Sequence, residues 1–327
     1  MTVTQIDDRP FTTLTEQIKQ LQTRGMHISD IDNVISILGR ENYYNVINGY
    51  KDLFLKKDAN GNKSIPEEYI ENVSFDEVYS LFLFDRDLRN IFMHYLLILE
   101  NNIKARIAYR FSEKYRDGES YLDVNCYNDD DNLKEDVEKL VVELEKVIVS
   151  KSDSEVSNAI KHHRDNYKKV PLWVLVNFIT LGNINYMYKS LDTELRECIA
   201  KDLSISHKKE YSQKHQITSE IVDSVLKMAV LFRNVCAHED RLYNFKVHRK
   251  PRFSTAAKVL NIPIRLLDGS CFSMFSCLKL MLTYDQHQEM KCRIEDLFDK
   301  YSNYFSSIDF SMILNTMSFK GSWQDYF

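Results

Sequence analysis

The segment from residue 75 to residue 116 constrains the fold more than any other part of the chain, because apolar residues recur along it at helical spacing. An uninterrupted pattern of this length predicts one long helix and a protein organised around helices. The composition agrees, since eight glycines and five prolines in 327 residues are too few for a turn-rich β protein. The repeating residues are Leu81, Leu88, Phe92, Tyr95, Leu99 and Ile103.

Other stretches predict shorter helices. One begins after Thr13 or Thr15 and stops at Gly25, and others cover residues 132–149 and 218–238. In the last of these, Leu226, Val230 and Leu231 lie off the main apolar stripe and predict packing on a second side, against a copy of the chain. The polar residues 150–169 predict a mobile region, and "HKKEYSQKH" (207–215) predicts a solvated loop. The main stripe comprises Ile221, Val222, Val225, Met228, Ala229, Phe232, Val235 and Cys236.

The sequence therefore predicts an all-α fold in three parts that pack together as one unit. Residues 1–74 form an N-terminal helical segment, residues 75–245 form the helical core, and residues 246–327 form a C-terminal helical extension. The two tryptophans, Trp173 and Trp323, are predicted to be packing residues.

Several classes of protein are excluded by the same sequence. The first 30 residues carry charges where a secretory signal has an apolar centre, and no run of about 18 apolar residues predicts a membrane span. The six cysteines show neither disulfide nor zinc-ligand spacing, so we expect a cytoplasmic protein with reduced thiols, no metal and no cofactor. With a net charge of −5, any nucleic-acid site must be a local patch.

The end of the 218–238 helix carries a group of residues with a specific chemistry. "FRNVCAHEDR" (232–241) contains Arg233, Asn234 and His238, and the last two are four residues apart on one helical face. Histidine exchanges protons near neutral pH, and arginine stabilises a phosphate that gains charge. No serine or cysteine nucleophile is arranged with them, since Cys236 belongs to the apolar stripe, so the nucleophile would come from the substrate. The 2′-hydroxyl of RNA is such a nucleophile, which predicts cleavage of RNA and not of DNA.

A structural interpretation of the same residues stays open. The R-x-x-x-x-H spacing arises by chance in roughly half of chains of this length. Arg233 and His238 would then bind backbone carbonyls at the helix C-terminus and favour the helix dipole.

Several blocks of sequence, found together and in order, resemble the Abi-like family of phage-defence proteins (AbiD/AbiF type) of the HEPN superfamily. The resemblance extends from about Phe11 to Phe327. The blocks are "TLTEQIKQLQTRGMHI" (13–28), "LGRENYYNVINGY" (38–50), "LFLFDRDLRNIFMHYLLILENNIKARIAYRF" (81–111), "PLWVLVNFITLGNINYMYKSL" (171–191), "LFRNVCAHEDRLYN" (231–244) and "TMSFKGSWQDYF" (316–327).

This resemblance implies a HEPN-like helical bundle that forms a homodimer and cleaves RNA without metal. It assigns the catalytic roles to Arg233, Asn234 and His238, with two such motifs facing one another. It also implies an RNA or protein antitoxin as a neutralising partner. Asp240, Arg241 and Asn244 match the flanking stretch, although Glu239 and Asp240 are more acidic than the family pattern and would repel phosphate. The superfamily includes inactive members, so the alternative is an RNA-binding or dimerisation module that sequesters RNA or a partner.

Further residues are expected to support the site. Glu100 would pair with Arg233 or His238, or alternatively with Lys104 four residues later. Arg106 and Arg110 are four apart and would line the RNA cleft, or alternatively be solvated at the surface. "NFKVHRKPRF" (244–253) predicts an RNA-backbone patch. Its basic residues are Lys246, Arg249, Lys250 and Arg252.

Overall fold

The computed structural model describes residues 11–211, 215–248 and 253–327, and within them the all-α prediction is confirmed because no β-strand forms. A π-helical turn covers Tyr44–Asn48. The α-helices are α1 (Leu14–Thr23), α2 (Ile31–Glu41), α3 (Phe75–Lys114), α4 (Asp131–Ser152), α5 (Ala159–Tyr167), α6 (Leu172–Leu175), α7 (Leu181–Ser190), α8 (Thr193–Tyr211), α9 (Ser219–Ala237), α10 (Ser254–Leu260), α11 (Cys271–Leu278), α12 (Tyr284–Ser302) and α13 (Phe310–Thr316). None of these helices is long and apolar enough to cross a membrane.

The chain divides into two compact units. The first contains the residues through Leu88 together with Glu295–Thr316. Its aromatic core centres on Phe84, whose ring lies 5.5 to 6.1 Å from three other rings. The fully buried carboxylate of Asp85 accepts a hydrogen bond of 2.7 Å from the Tyr50 hydroxyl, so the buried charge has a polar partner. The three rings belong to Phe298, Tyr301 and Phe310.

The second unit contains Arg89–Ile294 and Met317–Phe327. Helix α9 is central in it, because it packs against α7, α8 and α11. Helix α4 packs against α5 and α7 on another part of the same unit. Helix α11 is buried along its whole length, in all eight of its residues. The three-part division at residues 74 and 245 stays a prediction.

The helix boundaries follow the sequence closely where the apolar pattern is strong. The long helix α3 begins at Phe75 and ends two residues before the predicted end, with all six repeating residues at most 1% exposed. Thr13 caps α1 through both bonds of a capping box, and Gly25 ends that segment with a φ of +95°, which favours glycine. Thr218 caps α9, and its predicted apolar stripe is buried.

Two segments with little apolar periodicity are partly helical, and the loop predicted at residues 207–215 was wrong over residues 207–211. Residues 150–169 contain helix α5, which Asn158 caps, although its charged sequence shows little apolar periodicity. Helix α8 continues to Tyr211 and covers half of the predicted loop at 207–215. His207 is only 4% exposed in it, because segments that are distant in sequence cover this side of α8.

Candidate active site at the end of helix α9

Helix α9 keeps one polar face open to solvent. The stripe that faces the core is buried, and Leu226, which lies off that stripe, is also fully buried. Leu231 is 42% exposed, however, and Asn234 and His238 are exposed three and seven residues further along the same face. The predicted second packing surface is thus partly filled within the chain and partly open beside the candidate catalytic residues.

Backbone hydrogen bonds cap the C-terminal end of α9. His238 is the C-cap residue, and its N–H donates to the Asn234 carbonyl at 2.9 Å. Glu239 adopts the left-handed conformation with a φ of 57°, and the Asp240 N–H donates to the Val235 carbonyl at 3.0 Å. These bonds satisfy the last carbonyls of the helix in the way that usually involves a glycine. The helix end therefore holds the backbone of His238 without help from its imidazole.

A buried arginine from α3 anchors the same turn. Arg89 is 4% exposed, and its Nη1 donates to the carbonyl oxygen of Asp240 at 3.3 Å. Its guanidinium thus connects α3 to the residues that follow His238. No sequence pattern predicted this contact or the left-handed conformation of Glu239. For Arg89 the only signal was its position beside the apolar stripe of α3, and for Glu239 it was the position directly after a helix end.

The carboxylate of Glu100 lies between two cations. Its Oε1 accepts a hydrogen bond of 2.7 Å from Lys104, and its Oε2 lies 4.0 Å from Nε of Arg233. Both alternatives for this residue are therefore present at once. The side chains of Glu100 and Lys104 are about one tenth exposed, and that of Arg233 is 30% exposed. Water screens this three-residue cluster little, so removal of one charge would strongly affect the other two.

Two atoms of this cluster have unused hydrogen-bonding capacity. Glu100 Oε2 and Arg233 Nε are buried, and neither has a hydrogen-bond partner among the described residues. At 4.0 Å they attract one another without forming a hydrogen bond. A small movement of the guanidinium would form that bond, and the terminal nitrogens of Arg233 would then stay available for an anion.

The side-chain hydrogen bonds that the structural interpretation of the motif predicts do not form within the described residues. Within the described residues, the Arg233 guanidinium binds no backbone carbonyl, and the side chains of Asn234 and His238 make no hydrogen bond. The groups that can hold a phosphate and move a proton are consequently accessible on one face.

The flanking residues differ in their exposure. Asp240 and Arg241 are exposed, and Asn244 is partly buried. Between them, Leu242 and Tyr243 are buried and attach the segment to the core. Its position is also fixed by the Cys271 thiol, which lies 3.1 Å from the Leu242 carbonyl, and by an edge-to-face contact of 5.0 Å between Phe232 and Phe245.

Arg106 and Arg110 point to α8. Arg110 binds both carboxylate oxygens of Asp202 at 2.6 and 2.7 Å and also binds Glu113, and these bonds raise its pKa. Arg106 donates to Asn102 and to Ser206, and burial lowers its pKa. Both arginines thus have partners within the chain, and their role in binding RNA stays a prediction.

The basic segment after the motif lies only partly within the described residues. Lys246 is exposed and binds Asp268 at 2.5 Å. Burial raises the pKa of Asp268, but hydrogen bonds from Lys246, Ser270 and Ser318 outweigh it and lower the pKa to about 2. The other predicted members of the patch, Arg249, Lys250 and Arg252, lie outside the described residues. In the described parts of the chain, no three His, Cys, Asp or Glu residues form a group that could hold a metal ion.

A comparison with known protein families bears on this site. The sequence model of the Abi-like protein family matches residues 36–244, which is more than half of the chain and includes Glu100, Arg233 and His238. No curated protein and no solved structure matches the chain.

Proposed function

Because this chain belongs to the Abi-like protein family, we propose that it acts in phage defence by abortive infection, as a metal-independent endoribonuclease. The observation that supports the proposal is the exposed face of α9, where Asn234 and His238 stand next to an arginine whose Nε lies 4.0 Å from the buried carboxylate of Glu100. A proton-exchanging group and a stable cation at one accessible helix end are the minimum needed for phosphate transfer from RNA.

In the proposed reaction the 2′-hydroxyl of the substrate attacks the adjacent phosphorus. The neutral imidazole of His238 takes the proton of that hydroxyl as the new P–O bond forms. Arg233 stabilises the negative charge on the phosphorane oxygens, and Asn234 orients the phosphate or the imidazole. The P–O5′ bond then breaks, and the 5′ oxygen receives a proton. The products are a 2′,3′-cyclic phosphate and a 5′-hydroxyl end.

A second copy of the chain would complete the site. The attacking and leaving oxygens lie on opposite sides of the phosphorus, so one imidazole fixed at a helix end cannot serve both of them at once. In a homodimer, His238 of one copy would act as base and that of the other as acid. Leu231 supports this arrangement, because it exposes an apolar surface on the same face, two turns before His238.

The second candidate function is a catalytically silent module that binds and sequesters RNA or a partner. One observation favours it: Glu239 and Asp240 are both exposed directly after His238, where their carboxylates would repel a phosphate. An RNA or protein antitoxin would be a natural partner for either function.

The test is cleavage of a fluorescent RNA by the purified protein in EDTA, with analysis of the 3′ ends. We expect cyclic-phosphate ends from the wild type, a loss of about 10²- to 10⁴-fold in His238→Ala, and a loss of about 10²- to 10³-fold in Arg233→Ala. His27→Ala, which removes an exposed histidine of the first unit, is the matched control and should cleave normally. A substrate with a 2′-deoxy sugar at the cleaved position should resist.

Two outcomes would contradict the nuclease. Equal cleavage by wild type and His238→Ala would point to a contaminant or to another site. Phage protection that survives both Arg233→Ala and His238→Ala would transfer the function to the silent module.

A further inference from the structure

A large groove lies beside the candidate site, in the second unit. It has a volume of about 900 Å³, at the upper end of the range of typical ligand pockets of about 300–1,000 Å³. One wall is the last part of α3 from Asn101 and the residues after it to Asp117, and the other is formed by Trp173, Val176 and Asn177 at α6 and the turn that follows it. We refer to it as the α3–α6 groove.

Two large aromatic side chains of the groove are exposed to solvent. Trp173 is 57% exposed and Tyr109 is 63% exposed, so the prediction that Trp173 packs in the core was wrong. The other tryptophan, Trp323, is 3% exposed, as predicted. Exposed aromatic rings in a concave site offer flat surfaces on which nucleobases of any sequence can stack.

One cation of the groove, Arg116, has no carboxylate partner among the described residues. Among the charged lining residues, Lys104 pairs with Glu100, Glu113 pairs with Arg110, and Asp117 pairs with Lys169. Arg116 also lines the groove, is exposed, and makes no ion pair with any of the described residues. Arg110 also binds Asp202, so the paired charges cancel and Arg116 remains available for a phosphate.

The groove and the candidate active site share one ion pair. Lys104 lines the groove, and its ammonium binds the same Glu100 carboxylate that lies 4.0 Å from Arg233. A ligand that contacts Lys104 in the groove would therefore lie beside the ion pair that neighbours Arg233. Asn101, Ser112 and Asn177 add uncharged polar groups along the path.

From these observations we propose that the α3–α6 groove binds single-stranded RNA, with bases stacked on Trp173 and Tyr109 and the backbone near Arg116 and Lys104. The proposal rests on the proposed function and deepens it, because it names unpaired RNA as the substrate class of that site. A peptide would need apolar pockets more than an unpaired arginine beside two exposed rings, so RNA is favoured over a protein partner. Duplex RNA keeps its bases stacked on one another and would not use the two rings.

Intrinsic fluorescence tests the proposal directly, because the chain has two tryptophans and only Trp173 is exposed. The protein would carry His238→Ala to prevent cleavage, and the probe would be a ten-nucleotide oligouridylate. We expect the RNA to quench the fluorescence of Trp173 and to leave that of a Trp173→Phe variant, which reports Trp323 alone, unchanged. A hairpin RNA without unpaired bases should not quench.

Affinity measurements provide a second readout. Trp173→Ala and Tyr109→Ala should each weaken binding about 5- to 100-fold, the loss expected when one base loses its stacking partner. Tyr304→Ala, which removes a tyrosine that is 55% exposed in the first unit, is the matched control and should bind normally. Arg116→Gln should reduce the slope of log Kd against log salt by about 0.7, as for one lost phosphate contact.

Unquenched fluorescence with full affinity in Trp173→Ala and Tyr109→Ala would overturn the proposal, even if the wild type cleaves RNA. Quenching without any cleavage by the wild type would support the groove and contradict the nuclease. If Trp173→Ala loses phage protection but still binds RNA normally, the groove serves a protein partner and the proposal is wrong.

Discussion

Mild acid should destabilise the second unit through two buried histidines. His287 is fully buried, with Nε2 3.2 Å from the Phe275 carbonyl and its ring stacked on that of Phe275. His207 is 4% exposed and stacks on Tyr211. Burial, and to a smaller extent the nearby ammonium of Lys279, lowers the pKa of His207 to about 4 and that of His287 to about 3. Both imidazoles therefore stay neutral in the folded protein.

The direction and size of the effect follow from proton binding. In the unfolded chain a histidine has a pKa of about 6.5, so below that pH the unfolded state binds protons that the folded state rejects. The free energy of unfolding is at its full value above pH 6.5, and it decreases as the pH falls towards the pKa values of the folded state. Between pH 8 and pH 5 each histidine should reduce the free energy of unfolding by about 2 kcal/mol. A loss of about 4 kcal/mol is a large part of a typical stability of about 5–15 kcal/mol.

The assay is urea unfolding at pH 8, 6.5 and 5, followed by tryptophan fluorescence. Both tryptophans lie in the second unit, and Trp323 packs 5.6 Å from Phe275 in the same aromatic cluster. His287→Gln should shrink the difference between pH 8 and pH 5 by about 2 kcal/mol, whatever it does to stability at pH 8. The exposed His27→Gln should leave the difference unchanged. If His287→Gln shows the full wild-type difference, His287 does not stay neutral in the folded protein and the reasoning is refuted.

Three further predictions concern the candidate site. Glu239→Gly should raise the free energy of unfolding in urea by about 0.5–1 kcal/mol, because glycine adopts the left-handed conformation freely. Glu239→Gly and Glu239→Gln should both strengthen RNA binding, because each removes the same negative charge, but Glu239→Gln should not raise the free energy of unfolding. Glu100→Gln should cost about 3–5 kcal/mol because it leaves a buried Lys104 unpaired, and adding Lys104→Met should restore most of that stability. Leu231→Asp should shift the protein to monomers in light scattering and abolish cleavage, while Ile264→Asp, at a similarly exposed position, should do neither.

The polar end of α9 combines a rigid backbone with free side chains. The bonds from His238 to Asn234, from Asp240 to Val235 and from Arg89 to Asp240 fix the main chain. The imidazole of His238 and the amide of Asn234 make no hydrogen bond with the described residues. Such a division is what proton transfer at a defined position requires, because the reacting group must be held in place without losing its capacity for hydrogen bonds.

Much of the local structure could be predicted from the sequence. The apolar periodicity of α3 and α9 predicted which of their residues are buried, because a helix that must cover a core shows it in residues three and four apart. Capping residues such as Thr13 and Thr218 marked helix starts for an equally local reason. The Arg233, Asn234 and His238 motif was also visible, since its members are close in sequence.

The tertiary structure alone decided which distant groups meet. Glu100 meets Lys104 within α3, as their spacing predicted, but its contact with Arg233 depends on α3 lying against α9, where Phe92 also contacts Phe232. Arg110 binds Asp202 of α8, and His207 of α8 is buried, for the same reason. Trp173 looked like a core residue by type, but whether a side chain is covered depends on the segments that pack around it. The sequence thus determined most of the helices and the motif. Packing determined which charged residues lie beside that motif, and it left the neighbouring groove open.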